Sequence, residues 1–270
     1  MRGVTRRAPV LVALISATLL TALGLPSASA GPALFDPGAD VDYQLGGGYP
    51  TDAGIVVRDR TDQPAGAYDV CYLNAFQTQP GALRWWKRRH PDLLLRHHGR
   101  LAADPGWPDE VLLDTRSRGT RAGIARVLDR WVAGCARDGF EAVEPDNLDS
   151  YTRSRGLLGR RHNLALAALV VASGHRHGLA VAQKNLAELP AATARRVGFD
   201  FAVAEDCQVY DECDAYREVY GRAVLEIEYA DEGRAGFREA CAQRGDAWPV
   251  VLRDRDLRRP GQKGYRHAAC

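Results

Sequence analysis

Phe140-Glu141-Ala142-Val143-Glu144-Pro145-Asp146, then residues 161–177, then Leu179-Ala180-Val181-Ala182-Gln183-Lys184 form the stretch whose reading decides the fold. Its first and last segments are short apolar runs that end on charged residues. Between them Leu164, Leu166, Leu169, Val170 and Val171 fall at the spacing of a buried helical face. Gly178 follows this helix, and Gly139 follows a second helical stretch at 120–137, each where a helix C-terminus favours glycine. A strand, a helix and a second strand in this order make a βαβ unit, which implies a parallel sheet covered by helices.

The alternation extends in both directions. Similar runs lie at 41–45, 54–59, 68–74, 110–114, 199–205 and 223–229, which with 140–144 and 179–184 makes the predicted strands eight, and 248–252 is a candidate ninth. Eight such strands in about 240 residues point to an α/β fold of the (β/α)8 TIM-barrel kind, with an open doubly wound sheet as the alternative. Residues between Asp59 and Tyr68 are too few for a full helix, so one βα unit is expected to be incomplete. No low-complexity linker divides the chain, and 31–270 reads as a single domain.

A 270-residue chain with 46% hydrophobic and 26% charged residues is globular, which excludes collagen-like, coiled-coil and broadly disordered classes. Its net charge of +2 is unevenly placed. Arg2, Arg6 and Arg7 precede an apolar run at 10–25 and then Ala28-Ser29-Ala30, the three parts of a secretory signal peptide over 1–30. That run is shorter than the roughly 20 apolar residues of a spanning helix, so export is expected, with an uncleaved anchor as the alternative. Cleavage removes three of the 36 basic side chains and none of the 34 acids, leaving a secreted, near-neutral chain. A basic nucleic-acid-binding surface is therefore disfavoured, and no membrane partner is expected after cleavage.

Six cysteines in an exported chain imply disulfides. Cys207 and Cys213 read as a local pair in the loop after a strand, whereas Cys71, Cys135, Cys241 and Cys270 leave three pairings open. The Cys207 and Cys213 spacing with no neighbouring His is not a zinc pattern, so no metal or other cofactor is expected.

In a (β/α)8 barrel the chemistry sits at the C-terminal ends of the strands. Here those ends are acidic: Asp59, Asp114, Glu144, Asp146, Glu205 and Glu228 lie at or just beyond them. Strand alternation puts Ala142, Glu144 and Asp146 on one side, with Pro145 expected to stop the strand and Asn147 and Asp149 in the following loop. Lys184-Asn185 and Glu205 end two further strands. Only Lys87, Lys184 and Lys263 are lysines among the 36 basic residues, which singles out the one at a strand end. Two carboxylates on separate strands flanking a groove are the minimum for cleaving a glycosidic bond: one protonates the leaving oxygen and the other attacks or activates water. Tyr43, Tyr72, Tyr151 and Tyr229 are candidates to stack on sugar rings or to fill the barrel rim.

Tyr43-Gln44-Leu45-Gly46, Cys71-Tyr72, Leu113-Asp114, Glu144-Pro145-Asp146-Asn147-Leu148-Asp149, Lys184-Asn185, Glu205-x-Cys207-x5-Cys213 and Glu228-Tyr229 occur in an order that resembles glycoside hydrolase family 114. The resemblance implies a (β/α)8 barrel and a secreted endo-α-1,4-polygalactosaminidase. It matches Asp146 and Glu205 to the family's catalytic pair, Asp146 as nucleophile or base and Glu205 as general acid. Tyr43, Tyr72, Asp114, Glu144, Asn147, Asp149, Lys184, Asn185, Glu228 and Tyr229 become the substrate-binding candidates. A monomer acting on an amino-sugar polysaccharide is the expected state. An unacetylated galactosamine polymer is cationic, and a carboxylate-lined groove would attract it.

Two other readings compete. The spacing Asp138-Gly139-Phe140-x5-Asp146 is similar to a chitinase-like strand motif, but Leu148 stands where that motif has its terminal Glu. A barrel that binds an amino-sugar polymer without cleaving it is the non-enzymatic alternative. His97-His98 and His175-Arg176-His177 do not share a helix face at these spacings and read as surface residues. The Trp85-Trp86-Lys87-Arg88-Arg89-His90 run reads as one helix with a buried tryptophan and a solvated basic side.

Overall fold

The computed structural model describes Met1, Gly3 and Gly31–Cys270; the expected leader lies outside the described residues. Gly31–Cys270 run in chain order as β1 (Val41–Tyr43), β2 (Ile55–Asp59), β3 (Tyr68–Asn74), α1 (Leu83–Arg89), β4 (Arg96–His97), β5 (Arg100–Leu101), α2 (Arg118–Asp138), β6 (Ala142–Asp146), α3 (Arg160–Arg176), β7 (Ala180–Lys184), α4 (Ala191–Val197), β8 (Phe201–Glu205), α5 (Cys213–Tyr220), β9 (Val224–Tyr229), α6 (Arg234–Arg244), β10 (Val250–Arg253) and β11 (His267–Ala269). Strands β1, β2, β3, β6, β7, β8, β9 and β10 pair in that order, all parallel, and β11 adds antiparallel to β10. This is the expected (β/α)8 barrel; the link from β2 to β3 lacks a helix as expected, and the link from β1 to β2 lacks one as well.

The strands are buried on both faces, as a helix-wrapped parallel sheet requires. Val41, Tyr43, Ile55, Val57, Val70, Ala142, Ala182, Val203, Leu225 and Ile227 fill the barrel interior. The alternating residues Cys71, Leu73, Val143 and Val181 instead pack outward, under α2 and α3. Ser117 and Thr120 form a capping box at the start of α2, and Gly139 ends it in the left-handed conformation at φ 101°. On α3, Gly174 allows close packing on β7, because a Cβ there would strike the Val181 side chain.

One predicted strand is a correction. Residues 110–114 do not join the barrel; they make isolated antiparallel bridges, Gln77 with Leu112, Leu94 with Leu113 and Ala103 with Val111. Their apolar run is buried in the long connection between β3 and β6, where Leu112 packs with Leu95 and Leu158. The eighth parallel strand is β10, from the run counted as a possible ninth. The predicted run at 85–90 is α1 with Trp86 buried, and His97-His98 lies in the β4–β5 hairpin.

Among the described residues no ladder joins β1 to β10, and β11 occupies the free edge of β10. Side chains close this seam. Arg253 of β10 lies 3.4 Å from Asp42 of β1, both fully buried, and Asp42 also accepts from Gln44 Nε2 (2.8 Å) and the Tyr49 hydroxyl (2.7 Å). Removing one member of a buried pair strands the other charge. Arg253→Met is therefore expected to cost about 3–5 kcal/mol of stability, read as a lower urea midpoint with unchanged m-value.

Disulfides join Cys71 to Cys135, Cys207 to Cys213 and Cys241 to Cys270. The first ties β3 to α2, the second closes the loop after β8, and the third fastens the chain end to α6.

Candidate active site

Three adjacent strands deliver the centre of the site. Asp146 ends β6, Lys184 ends β7 and Glu205 ends β8, all in phase with the interior residues of their strands. Each is followed by a residue at positive φ: Asn147 (67°), Asn185 (53°) and Asp206 (52°). Asn and Asp tolerate the left-handed region better than other residues with a Cβ, so these dipeptides let the chain turn sharply off the sheet. The strand β6 continues through Pro145, paired with Leu73; Asn147, and not the proline, breaks it.

The turn residues also build the site. Asn147 donates its backbone N–H to Asp146 Oδ1 at 2.7 Å and its amide to Asn74 at 3.0 Å. Asn185 donates its amide to Glu205 Oε2 at 2.9 Å and accepts from the Glu205 N–H at 2.9 Å. Asp206 accepts the Tyr229 N–H at 2.9 Å, which fixes β9 against β8.

Lys184 sits beneath the carboxylates with its side chain 2% exposed. Its ammonium is 2.8 Å from Glu144, 3.3 Å from Asp146 and 3.5 Å from Glu205, and it donates to the Tyr43 hydroxyl at 3.0 Å. Burial alone would lower its pKa; the charges of Asp146, Glu144 and Glu205 outweigh that and hold it well above the ordinary lysine value. Tyr43, Tyr72 and Tyr229 donate to Glu144 (2.7 Å), Asp146 (2.7 Å) and Glu205 (2.5 Å). Burial and the neighbouring carboxylates keep all three phenols well above their ordinary pKa, hence neutral donors. Their hydroxyls orient acids, and Tyr43 and Tyr229 are buried, an arrangement that fits the rim-filling alternative better than sugar stacking. Tyr151 is half-buried, with its hydroxyl 3.5 Å from Glu188.

Above this layer opens a groove of about 550 Å³ lined by Asp146, Asn147, Asp149, Lys184, Asn185, Glu205 and the three tyrosines Tyr43, Tyr72 and Tyr229. Glu144 lies buried below it, spent on Lys184 and Tyr43. Two more predicted members are also absent from its lining. Asp114 belongs to the connection before α2, where Arg116 grips it at 2.6 and 2.9 Å. Glu228 faces outward, because Leu225, Ile227 and Tyr229 are the interior residues of β9. It accepts the Gln208 N–H at 3.0 Å, and its other oxygen has no partner.

That environment has a measurable consequence. Burial pushes Glu228 up to about 8, far above an unfolded glutamate. The folded state then holds a proton that the unfolded chain has released, so stability falls as pH rises toward 8. Glu228→Gln is expected to add about 1–3 kcal/mol at pH 8 and to flatten the dependence of Tm on pH between 5 and 8.

Asp59, one of the expected strand-end acids, also lines the groove, together with residues the strand-end pattern does not reveal. Asp59, with Thr61 and Gln79 donating to it, flanks one side, and Arg255 lies 4.0 Å over the Tyr229 ring. Asp104, Gly106, Trp107 and Glu110 come from the β3–β6 connection. Arg153 donates to Asp104 (2.5 Å), Asp149 (2.6 Å) and Asn147 (2.9 Å), tying that connection to the loop after β6. Carboxylates outnumber free cations along this surface. Two of them meet at one ammonium, an arrangement suited to acid–base and nucleophilic work on a glycoside. The Cys207 and Cys213 sulfurs, which lie near Glu226, are consumed in their disulfide.

Residues 24–270 match glycoside-hydrolase family GH114. A search of curated proteins finds no match. Among solved structures, Aspergillus fumigatus Ega3 in complex with galactosamine is similar with a TM-score of 0.69 at 20% identity, over 90% of this chain and 99% of that one. The glycoside hydrolase domain of PelA from Pseudomonas aeruginosa is similar with a TM-score of 0.57 at 16% identity, over 83% of this chain and 97% of that one. At these identities the likeness to the two structures is one of fold.

Proposed function

The chain belongs to glycoside-hydrolase family GH114, and on that premise we propose that this glycoside hydrolase is exported and cleaves α-1,4-linked galactosamine polymers, with Asp146 as nucleophile and Glu205 as acid and base. The observation that carries the reading is the pair itself: Asp146 and Glu205 on separate strands, held from below by one ammonium and open to one acidic groove. The galactosamine in the fungal structure supports the choice of sugar. So does the excess of carboxylates, since a cationic polymer is drawn to such a surface.

Both carboxylates accept donors on both oxygens, Glu205 from the Asn185 amide and the Tyr229 hydroxyl, so side-chain length and exposure carry the division of labour. Asp146 receives donors on both oxygens, the Asn147 N–H and the Tyr72 hydroxyl, and is 18% exposed, a short side chain fixed for attack at the anomeric carbon. Glu205 is longer and 25% exposed, and so reaches further toward the leaving oxygen. Glu205 gives its proton to that oxygen as the glycosidic bond breaks and Asp146 bonds to the sugar. It then takes a proton from the water that releases the sugar. Because both carboxylates touch the same Nζ, their nearest oxygens are separated by no more than the sum of 3.3 and 3.5 Å. Retaining pairs sit about 5–5.5 Å apart and inverting pairs about 6.5–9.5 Å, so this limit accommodates a retaining pair and overlaps only the lower end of the inverting range.

The test is to incubate the mature protein with de-N-acetylated galactosaminogalactan, chitosan and chitin and to analyse soluble products. Oligomers are expected from the first alone, with the α-anomer seen first by NMR. Release from chitin or chitosan would transfer the reading to a chitinase-like hydrolase, and binding without release from any polymer would make the barrel a binding protein.

A further inference from the structure

We propose that the loop 104–110 is a sugar-binding shelf on the lip of the groove, with Trp107 as the platform for a galactosamine ring bound away from the cleavage point. The proposal rests on the galactosamine reading above and extends it to a second position along the polymer.

Trp107 is 54% exposed and is the one large, exposed apolar side chain among the described residues that lines the groove. A single surface apolar residue is ordinarily unremarkable, but this one is held in place by construction. Pro105 and Pro108 restrict φ on either side of it. Asp104 accepts the Gly106 N–H at 2.8 Å, and its other oxygen is locked by Arg153 at 2.5 Å. Backbone bonds from Asp104 to the Glu110 carbonyl (2.9 Å) and from Glu110 to the Trp107 carbonyl (2.9 Å) close the base of the turn. The loop is thus ordered before any ligand arrives, and a preorganised aromatic surface binds with little further loss of conformational entropy.

The chemistry of the ring fits the platform. Galactose-configured sugars carry O4 axial on one face and leave the opposite face a continuous C–H surface, which stacks against the electron-rich face of an indole. The ammonium at C2 would then need an oxygen acceptor at the edge of the ring. Glu110 lines the same part of the groove, and both of its hydrogen bonds, from Asn74 (2.8 Å) and Gln77 (2.9 Å), go to Oε2, which leaves Oε1 for that ammonium.

Trp107 also supplies its own signal, because Trp86 and Trp248 are buried and Trp85 and Trp131 are half-buried. The experiment titrates the Glu205→Gln protein with α-1,4-galactosamine oligosaccharides and follows tryptophan emission and heat. A longer oligosaccharide is expected to change the emission, and adding Trp107→Ala is expected to remove the change and weaken binding about tenfold. In otherwise wild-type protein, Trp107→Ala is expected to lower kcat/KM on the polymer through KM, and Trp107→Phe to fall between the two. Equal affinity with and without Trp107 overturns the shelf and leaves the galactosamine reading standing. If the Glu205→Gln protein binds no galactosamine oligosaccharide and the wild type releases no product from the polymer, both readings fall.

Discussion

Glu205→Gln is expected to lower turnover of the galactosamine polymer by about 10²–10⁴-fold, and Asp146→Asn by at least as much, with the folds intact. Both substitutions preserve shape: the amide oxygen can accept from Asn147 N–H or the Asn185 amide, and the Tyr72 or Tyr229 hydroxyl can turn to accept from the new NH2. The two losses should differ in kind. If Glu205 serves to protonate the leaving oxygen, an aryl glycoside of a galactosamine oligomer, whose phenolate departs unaided, restores bond cleavage in Glu205→Gln. The glycosyl-enzyme then accumulates, because water has lost its base. Asp146→Asn gains nothing from the better leaving group, since no carboxylate remains to attack. Steady-state rates on polymer and aryl substrate, with mass spectrometry of the protein, read both effects. Full polymer hydrolysis by either variant would remove the residue from the reaction, and rescue of Asp146→Asn by the aryl substrate would reverse the assigned roles.

The placement of this pair was legible in the sequence because period-two alternation and chain order are enough to carry Ala142, Glu144 and Asp146 to one face. The same reasoning misplaced Glu228. On β9 both faces are apolar or buried, so Val224, Leu225 and Ile227 give no phase, and only the structure puts Tyr229 inward and Glu228 toward α6. Asp114 failed for a different reason. The run Val111-Leu112-Leu113 is as apolar as a barrel strand, but it is buried outside the sheet, Val111 and Leu113 in the cluster under α2 and α3 and Leu112 against Leu95 and Leu158, and periodicity cannot tell one burial from the other. A usable signal was present at the turns: Asp146-Asn147, Lys184-Asn185 and Glu205-Asp206 each pair a functional side chain with a residue suited to positive φ. The seam between β1 and β10 left little trace, because a buried Arg253 and a terminal His267-Ala268-Ala269 strand look like ordinary polar and small residues until the barrel closes.

Lys184→Met is expected to cost about 3–5 kcal/mol of stability, and for a reason that separates structure from chemistry. The ammonium is fully enclosed, and its removal leaves Glu144 charged and buried, with nothing but the Tyr43 hydroxyl to answer it. In the wild type this support is steady across neutral pH: the folded pKa lies above that of an unfolded lysine, so the contribution is present below about 10.4 and lost only as pH rises through the folded value. Adding Glu144→Gln to Lys184→Met removes the stranded charge and should recover much of the stability. It should not recover activity. Asp146 and Glu205 would then stand without the cation that lies 3.3 and 3.5 Å from them, and nothing would offset their mutual repulsion or hold them in place from beneath. The double variant is therefore expected to fold and to lose about 10²–10³-fold in kcat/KM. If it instead folds with the wild-type rate, Lys184 is a structural counterion for Glu144 alone, and the carboxylate pair needs no electrostatic support from beneath.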